Sequence, residues 1–223
     1  MEILVRILCV LLGYCFGLFQ TAYLYGKMNG IDIREHGSGN AGTTNALRVL
    51  GKKAGLVVFL GDLLKAFIAC VLARVLGMTY FPDLLYPMIL WSGLGVVLGH
   101  NFPFYMNFKG GKGIAATAGV ILGLLDYRIV LICLIAFIIC VVCTRYVSLG
   151  SLTVVMLFFL SFLVLGMSGH IINPSTGVGY DGAELLESYI IIFIFASLAF
   201  YRHKANIIRL IHGNENKIFS SKE

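Results

Sequence analysis

Charge is what this chain has least of: Asp, Glu, Lys and Arg make up 13% of its 223 residues, against 59% hydrophobic residues and a mean hydropathy of +0.90. That shortage excludes a soluble domain of this length, and several apolar runs approach the ~20 residues a bilayer-spanning helix needs. The runs are continuous rather than alternating, which excludes barrel strands. Metal-ligand spacing is missing as well. Cys9, Cys15, Cys70, Cys133, Cys140 and Cys143 all lie in apolar runs, and the one C-x-x-C pair, Cys140 and Cys143, has no His or second pair beside it. Neither a disulfide framework nor a metal site is expected, and the cysteines read as buried small hydrophobes. No basic stretch carries interleaved exposed aromatics, which excludes nucleic acid as a partner. No small-x-small cleavage site follows the first apolar run and Glu2 weakens its basic start, so residues 1–24 read as a retained span rather than a signal peptide.

The apolar runs fall at 3–25, 54–77, 86–101, 114–125, 129–144, 147–168 and 187–201. They predict an all-α integral membrane protein of about seven transmembrane helices, a single domain over 1–217 with a short polar tail at 218–223. The boundary at Asp126-Tyr127-Arg128 is the weakest, because 114–144 would otherwise read as one element. Basic residues set the orientation. With the N-terminus outside, thirteen of the seventeen Lys and Arg face the cytoplasm: Lys27, Arg34, Arg48, Lys52, Lys53, Lys109, Lys112, Arg145, Arg202, Lys204, Arg209, Lys217 and Lys222. Lys65 and Arg74 lie in a span, only Arg6 and Arg128 fall outside, and the 169–186 loop has no Lys or Arg. The positive-inside rule therefore predicts N-terminus out and C-terminus in, and merging 114–144 would weaken that bias. Lys52, Lys53, Lys217 and Lys222 read as a basic skirt on anionic lipid.

Two polar blocks interrupt the runs. Gly37-x-Gly39-x-x-Gly42 matches the dinucleotide fingerprint, with Asp62 twenty residues on, but the context is wrong: Asp62 lies inside an apolar span, not at the end of a second strand. The physics still holds. A Gly-rich turn leading into a Thr43–Leu50 helix offers unpaired N–H groups to an anion. Ser38, Asn40, Thr44 and Asn45 add neutral donors, and Arg48 follows one turn on. Lys109-Gly110-Gly111-Lys112-Gly113 resembles a Walker loop, yet Gly113 stands where the magnesium-binding Ser or Thr belongs, which disfavours nucleotide hydrolysis. What remains is a flexible backbone able to wrap an oxyanion, with Lys112 as a point charge and a helix starting at Ile114. A phosphate is the natural ligand of both blocks. His100, just before the second block, reads equally well as a capping residue.

Beyond the last span, His203 and Asn206 share a helix face with Arg202 and Arg209 nearby, and His203 is a general base or a hydrogen-bond partner for a substrate hydroxyl. Asp62 and Lys65 stand i and i+3 inside the second run, where an ion-paired strut is the simplest reading.

Three stretches together, Ser38-Gly-Asn-x-Gly-x-Thr-Asn45-x-x-Arg48, Gly99-His100-x-Phe-Pro103 running into Phe108-Lys-Gly-Gly-Lys-Gly113, and Tyr201-Arg-His203-x-x-Asn206-Ile-x-Arg209-Leu-x-x-Gly213-x-Glu215, resemble the cytoplasmic motifs of the PlsY family. These are bacterial membrane glycerol-3-phosphate acyltransferases that use acyl-phosphate as donor. The resemblance implies a seven-helix enzyme of the cytoplasmic membrane, active site facing the cytoplasm, that converts glycerol 3-phosphate and acyl-phosphate to 1-acyl-glycerol 3-phosphate and phosphate. It implies no cofactor and no obligatory protein partner. By resemblance, Ser38, Arg48, Lys112, His203 and Asn206 are catalytic. Gly37, Gly39, Asn40, Gly42, Thr44, Asn45, Lys109, Gly110, Gly111, Gly113, Ser151 and Arg209 are the expected phosphate- and substrate-binding residues. The 169–186 loop looks long for the family.

The residues fit this chemistry on their own terms. Two phosphorylated substrates call for two oxyanion sites with fixed cations, and a lipid-soluble acyl chain meeting a water-soluble alcohol calls for a site at the membrane face. None of the five His has an Asp five residues on, the pair common in other glycerol-phosphate acyltransferases. An acyl-phosphate is already a mixed anhydride, so little help is needed at its leaving group. The expected mechanism is direct attack of the C1 hydroxyl, with Arg48 and Lys112 holding phosphates and Ser38 and Asn206 placing hydroxyl and carbonyl. The proton goes to His203 or to a donor phosphate oxygen. An acyl-Ser38 route lacks a neighbouring base in sequence. The alternative, a transporter for a phosphorylated or other anionic metabolite, would need midplane polar groups and an internal repeat, and the sequence has no repeat.

Overall fold

The computed structural model describes residues 1–218, so Lys222 and most of the 218–223 tail lie outside the described residues. The chain forms α1 (Glu2–Gly17), α2 (Thr21–Met28), α3 (Thr43–Leu50), α4 (Lys52–Tyr80), α5 (Leu85–Asn101), α6 (Ile114–Gly123), α7 (Tyr127–Thr144), α8 (Val147–Met167), α9 (Gly182–Arg202) and α10 (Lys204–Ile211). Among the described residues, six stretches are long and apolar enough to cross a membrane: Glu2–Met28, Lys52–Tyr80, Pro82–Met106, Tyr127–Thr144, Val147–Met167 and Gly182–Arg202. The expected fourth span is shorter than the others. At ten residues α6 rises about 15 Å, half the ~30 Å hydrocarbon core. It is nonetheless separate from α7: Leu125 takes φ +55°, and the Asp126 carboxylate accepts from the Arg128 N–H to start the next helix.

The first apolar run is one candidate span, as expected, but its helix is interrupted. The helix stops at Gly17 and restarts at Thr21, because Gln20 turns inward and donates to the carbonyls of Gly17, Gly99 and His100. Backbone carbonyls freed in a dry interior need donors. Lys65 supplies them, at 2.6 Å from the Phe19 oxygen and 3.4 Å from that of Gly17.

At the centre lies α5, buried along almost its whole length. Helix α1 packs on it with backbones nearly touching: a Cβ on Gly13 would overlap the Ser92 carbonyl oxygen, and one on Gly17 that of Val96. In return, Cβ atoms on Gly95 and Gly99 would overlap the carbonyl oxygens of Val10 and Tyr14. This is small-residue packing at four-residue spacing from both sides. Gly95→Val is expected to destabilise the protein by about 3 kcal/mol or more, read as a lowered melting temperature in detergent.

At the end opposite the polar blocks, Arg6 grips Glu187 through two hydrogen bonds of 2.6 and 2.7 Å, and Trp91 donates to the same carboxylate at 2.6 Å. This joins α1, α5 and α9. The long loop before α9 packs down there as well, Asn173 and Tyr180 both donating to the Pro82 carbonyl.

Candidate active site

The first Gly-rich block is a folded turn closed by Asn45. The Asn45 Oδ1 accepts the Ser38 backbone N–H at 2.8 Å, and its amide nitrogen donates to the carbonyls of Ile33 and His36. Asn45 was expected to donate to a phosphate, but both amide hydrogens are used within the loop. Gly37, with φ +62°, is held against that amide, where a Cβ would overlap Oδ1. Gly37 and Gly39 thus shape the turn without lining the cavity described below. The turn delivers Ser38 and Asn40 to the start of α3, whose N-cap is Gly42. Thr43, Thr44 and Arg48 lie on the cavity wall beyond it.

The second block departs from the expected flexible cradle. Its N–H groups fold back on the carbonyls that α5 leaves free at its C-terminal end: Gly110 donates to Asn101 and Gly111 to His100, both at 3.1 Å. No N–H remains on these glycines for an anion. Their carbonyls face Arg202, whose guanidinium donates to Gly110 and Gly111 at 2.8 to 3.1 Å. Close packing explains the glycines, since a Cβ on Gly110 would overlap the His100 carbonyl oxygen and one on Gly111 the His100 ring at Nε2. Lys109 is exposed, and Lys109, Gly110 and Gly111 do not line the cavity. The block is a rigid bracket that presents Lys112 and Gly113.

Helices α9 and α10 meet at His203, which is 2% exposed. Its Nδ1 lies 2.8 Å from the Ala199 carbonyl oxygen. A carbonyl only accepts, so Nδ1 carries the proton and Nε2 is left as an acceptor. Burial, with Lys112 beside it, holds the imidazole down at about 4, against the opposing pull of Glu215 and the Ala199 carbonyl. Asn206 accepts from the Lys112 ammonium through Oδ1 and donates to Glu215 at 2.8 Å, while Arg209 donates to the other Glu215 oxygen at 2.8 Å. Asn206 thus ties Lys112 to Glu215. Burial lowers the Lys112 ammonium to about 8; Glu215 raises it, and Arg209, Arg202 and Arg48 lower it further.

These two values give a pH profile. Lys112 is charged below about pH 8 and loses its charge above it, so kcat/KM for an anionic substrate is expected to fall on an alkaline limb near pH 8. His203 is expected to contribute no limb at the ordinary histidine range near 6.5, because it stays neutral there. Glu215→Gln removes the charge that raises Lys112 and is expected to move the alkaline limb to lower pH. An initial-rate profile from pH 5.5 to 9.5 reads both features, and a limb that stays in place contradicts the assignment.

Ser38, Arg48, Lys112, His203, Asn206, Arg209 and Glu215 line one cavity of about 460 Å³. At one end are Ser38, Asn40, Thr44, Arg48, Lys112, Ser151, His203, Asn206 and Arg209, with Gly42, Asn45 and Gly113 among the wall residues. Ser151 donates its hydroxyl to the Val147 carbonyl at 2.8 Å. From that end an apolar groove runs between α6, through Ala118, Ile121 and Leu122, and α7, through Val130, Cys133, Leu134 and Phe137. Each set recurs at three- and four-residue spacing, one face of each helix. Several lining residues were missed by the sequence reading, Glu215, Asn216, Thr43 and Ser148 among the polar ones. Glu215 stood in a recognised motif without a role, and Thr43 and Ser148, whose buried hydroxyls have no protein partner among the described residues, lie in polar stretches where nothing local sets them apart from their neighbours.

Comparison with known proteins agrees with this geometry. Residues 7–213 match the glycerol-3-phosphate acyltransferase family. The chain is similar to a glycerol-3-phosphate acyltransferase of Halalkalibacterium halodurans, 42% identical with 97% of each chain covered. Another, from Clostridioides difficile, is 38% identical over the whole of both chains. It is also similar to the crystal structure of PlsY, an integral membrane glycerol 3-phosphate acyltransferase, in its glycerol 3-phosphate form. That likeness has a TM-score of 0.79 at 31% identity, covering 96% of this chain and 95% of the other. The lysophosphatidic acid form of PlsY gives a TM-score of 0.77. The chain belongs to the PlsY family of integral membrane glycerol-3-phosphate acyltransferases.

Proposed function

We propose that this protein moves a fatty acyl group from an acyl-phosphate to the sn-1 hydroxyl of glycerol 3-phosphate, releasing 1-acyl-glycerol 3-phosphate and phosphate at the cytoplasmic face of the cell membrane. One observation carries the reading: a cavity whose head is lined by Arg48, Lys112 and Arg209 continues into an apolar groove between α6 and α7. Phosphates belong in the first part and a fatty chain in the second. The two forms of the solved relative, with glycerol 3-phosphate and with lysophosphatidic acid, correspond to an acceptor and a product of this reaction. Acyl-phosphate is favoured as donor because the cavity offers little acid or base strength. His203 is a weak base, and Glu215 is committed to Asn206 and Arg209. Only an activated donor with a good leaving group suits such a site.

The hydroxyl of glycerol 3-phosphate is oriented by the His203 Nε2 acceptor and attacks the acyl carbonyl carbon. The new C–O ester bond forms as the bond from that carbon to the phosphate oxygen breaks, and the hydroxyl proton ends on a phosphate oxygen. Arg48, Lys112 and Arg209 hold the phosphates and offset charge in the transition state, and the Ser38 hydroxyl positions the acceptor. The Arg6–Glu187 pair supports a reading with seven crossings and the N-terminus outside. That contact puts the starts of α1 and α9 on one face, which requires an even number of crossings between them and so counts α6 as one. The excess of Lys and Arg at the opposite end supports that end as cytoplasmic.

Donor choice is tested by giving purified, reconstituted protein glycerol 3-phosphate with palmitoyl-phosphate or with a palmitoyl thioester. Turnover is expected with the phosphate alone, with product acylated at C1 by NMR. Comparable kcat/KM for the thioester would remove acyl-phosphate as the specific donor.

A further inference from the structure

Beneath the cavity lies a buried polar cluster that the mechanism above does not use. The three acceptors nearest the Lys65 ammonium are the Phe19 carbonyl oxygen at 2.6 Å, Asp62 Oδ1 at 2.9 Å and His100 Nδ1 at 3.0 Å, with the Gly17 carbonyl oxygen farther off at 3.4 Å. Thr21 donates to the same Asp62 oxygen at 3.1 Å. An ammonium has no lone pair, so His100 Nδ1 accepts. The distance from His100 Nδ1 to the carboxylate, 3.6 Å, is too long for the reverse arrangement in which Nδ1 donates to Asp62. The neutral ring therefore carries its proton on Nε2. That N–H makes no hydrogen bond among the described residues, although His100 is 3% exposed and lines the cavity. An unpartnered donor on a residue of the cavity wall is free to take a ligand acceptor.

Its position identifies the acceptor. The Nε2 edge lies over Gly111, at the seam between the two Gly-rich blocks, since a Cβ on Gly111 would overlap Nε2 and lie 2.8 Å from the Ala41 carbonyl oxygen. Asp62 shares one face of α4 with Phe59 and Leu63, both of which also line the cavity. His100 thus stands where the polar head gives way to apolar wall, the place an acyl carbonyl occupies when its chain lies in the groove and its phosphate at the cations. A neutral donor matches an oxygen that is uncharged in the ground state and becomes anionic in the transition state. Accepting a hydrogen bond from the Lys65 ammonium polarises the ring and makes Nε2–H a stronger donor.

We propose that His100 is a catalytic residue, its Nε2–H donating to the acyl carbonyl oxygen as that oxygen gains charge, and that Asp62 and Lys65 are positioning residues which hold it in this tautomer. The proposal rests on the acyl-transfer reading and deepens it.

The first test is nitrogen NMR of the histidine-labelled full-length protein, with His100 assigned by the signal lost in His100→Phe. The expected result is a protonated Nε2 and an unprotonated Nδ1, with the Nε2–H resonance shifting when an acyl phosphonate, a stable donor analogue, binds. A protonated Nδ1, or an Nε2–H signal that ignores the bound analogue, overturns the proposal without touching the assigned reaction. Kinetics supply the second test. His100→Phe keeps a ring and loses the donor, and kcat is expected to fall about a hundredfold or more with KM for both substrates changed by less than about threefold. His100→Gln, which restores an N–H, is expected to recover part of the loss. The double variant Asp62→Asn with Lys65→Met is expected to lower kcat and mix the two tautomers in the spectrum. Unchanged kcat in His100→Phe overturns the proposal. A wild-type protein that makes no lysophosphatidate refutes the reaction itself, while the analogue titration still decides the role of His100.

Discussion

Lys112→Ala is expected to lower kcat/KM for glycerol 3-phosphate by about a thousandfold or more while the protein stays folded. Lys112 is only partly buried and lies at a cavity wall, so its removal leaves space that water can fill. What is lost is a fixed cation whose direction is set by a chain of contacts, Arg209 to Glu215 to Asn206 to Lys112. On the strength of that chain, a Lys and not merely a positive charge is expected to be required. Lys112→Arg keeps the charge, but its planar fork does not fit an acceptor arranged for an ammonium, and little rescue is expected. Steady-state rates with a detergent melting curve separate the two cases: lost activity at an unchanged melting temperature supports the role, and near-normal activity in Lys112→Ala removes the residue from the mechanism.

Gly110→Ala, one carbon added outside the cavity, is expected to cost about a hundredfold in kcat/KM. The added Cβ overlaps the His100 carbonyl oxygen and lies 2.7 Å from the Pro103 ring. Neither neighbour is a flexible side-chain end, so the bracket itself must move. Two residues on, Lys112 moves with it, and misplacement by about an ångström is enough for a loss of that size. A conventional phosphate loop would predict loss of anion binding alone, because its N–H groups would be the ligands. Here they bond to α5, so kcat is expected to fall along with a rise in KM, measured by varying each substrate. A pure KM effect would restore the cradle reading.

The contrast between these two residues marks what the sequence makes legible. Hydropathy places the long helices to within a few residues, and the Thr43–Leu50 helix falls at the predicted bounds, because apolar runs and a Gly-rich start are local signals. The residues on the cavity wall, Ser38, Arg48, Lys112, His203 and Asn206, were legible as three polar stretches on one membrane face. Illegible were the contacts made at a distance. Nothing local tells that the Gly110 and Gly111 N–H groups close on the end of α5, or that Asn45 satisfies its own loop. The break at Gly17–Thr21 depends on Lys65, more than forty residues away in sequence. Nor do the glycines of α1 and α5 differ from their neighbours until the helices are packed.

The central claim is that one cavity holds both substrates and passes the acyl group directly between them. Single-turnover measurement with chain-labelled acyl-phosphate, with and without glycerol 3-phosphate, tests it most directly. The account predicts that phosphate release depends strictly on glycerol 3-phosphate and matches lysophosphatidate one for one, with no label on the protein. A burst of phosphate without acceptor, accompanied by label bound covalently to the chain, would contradict it.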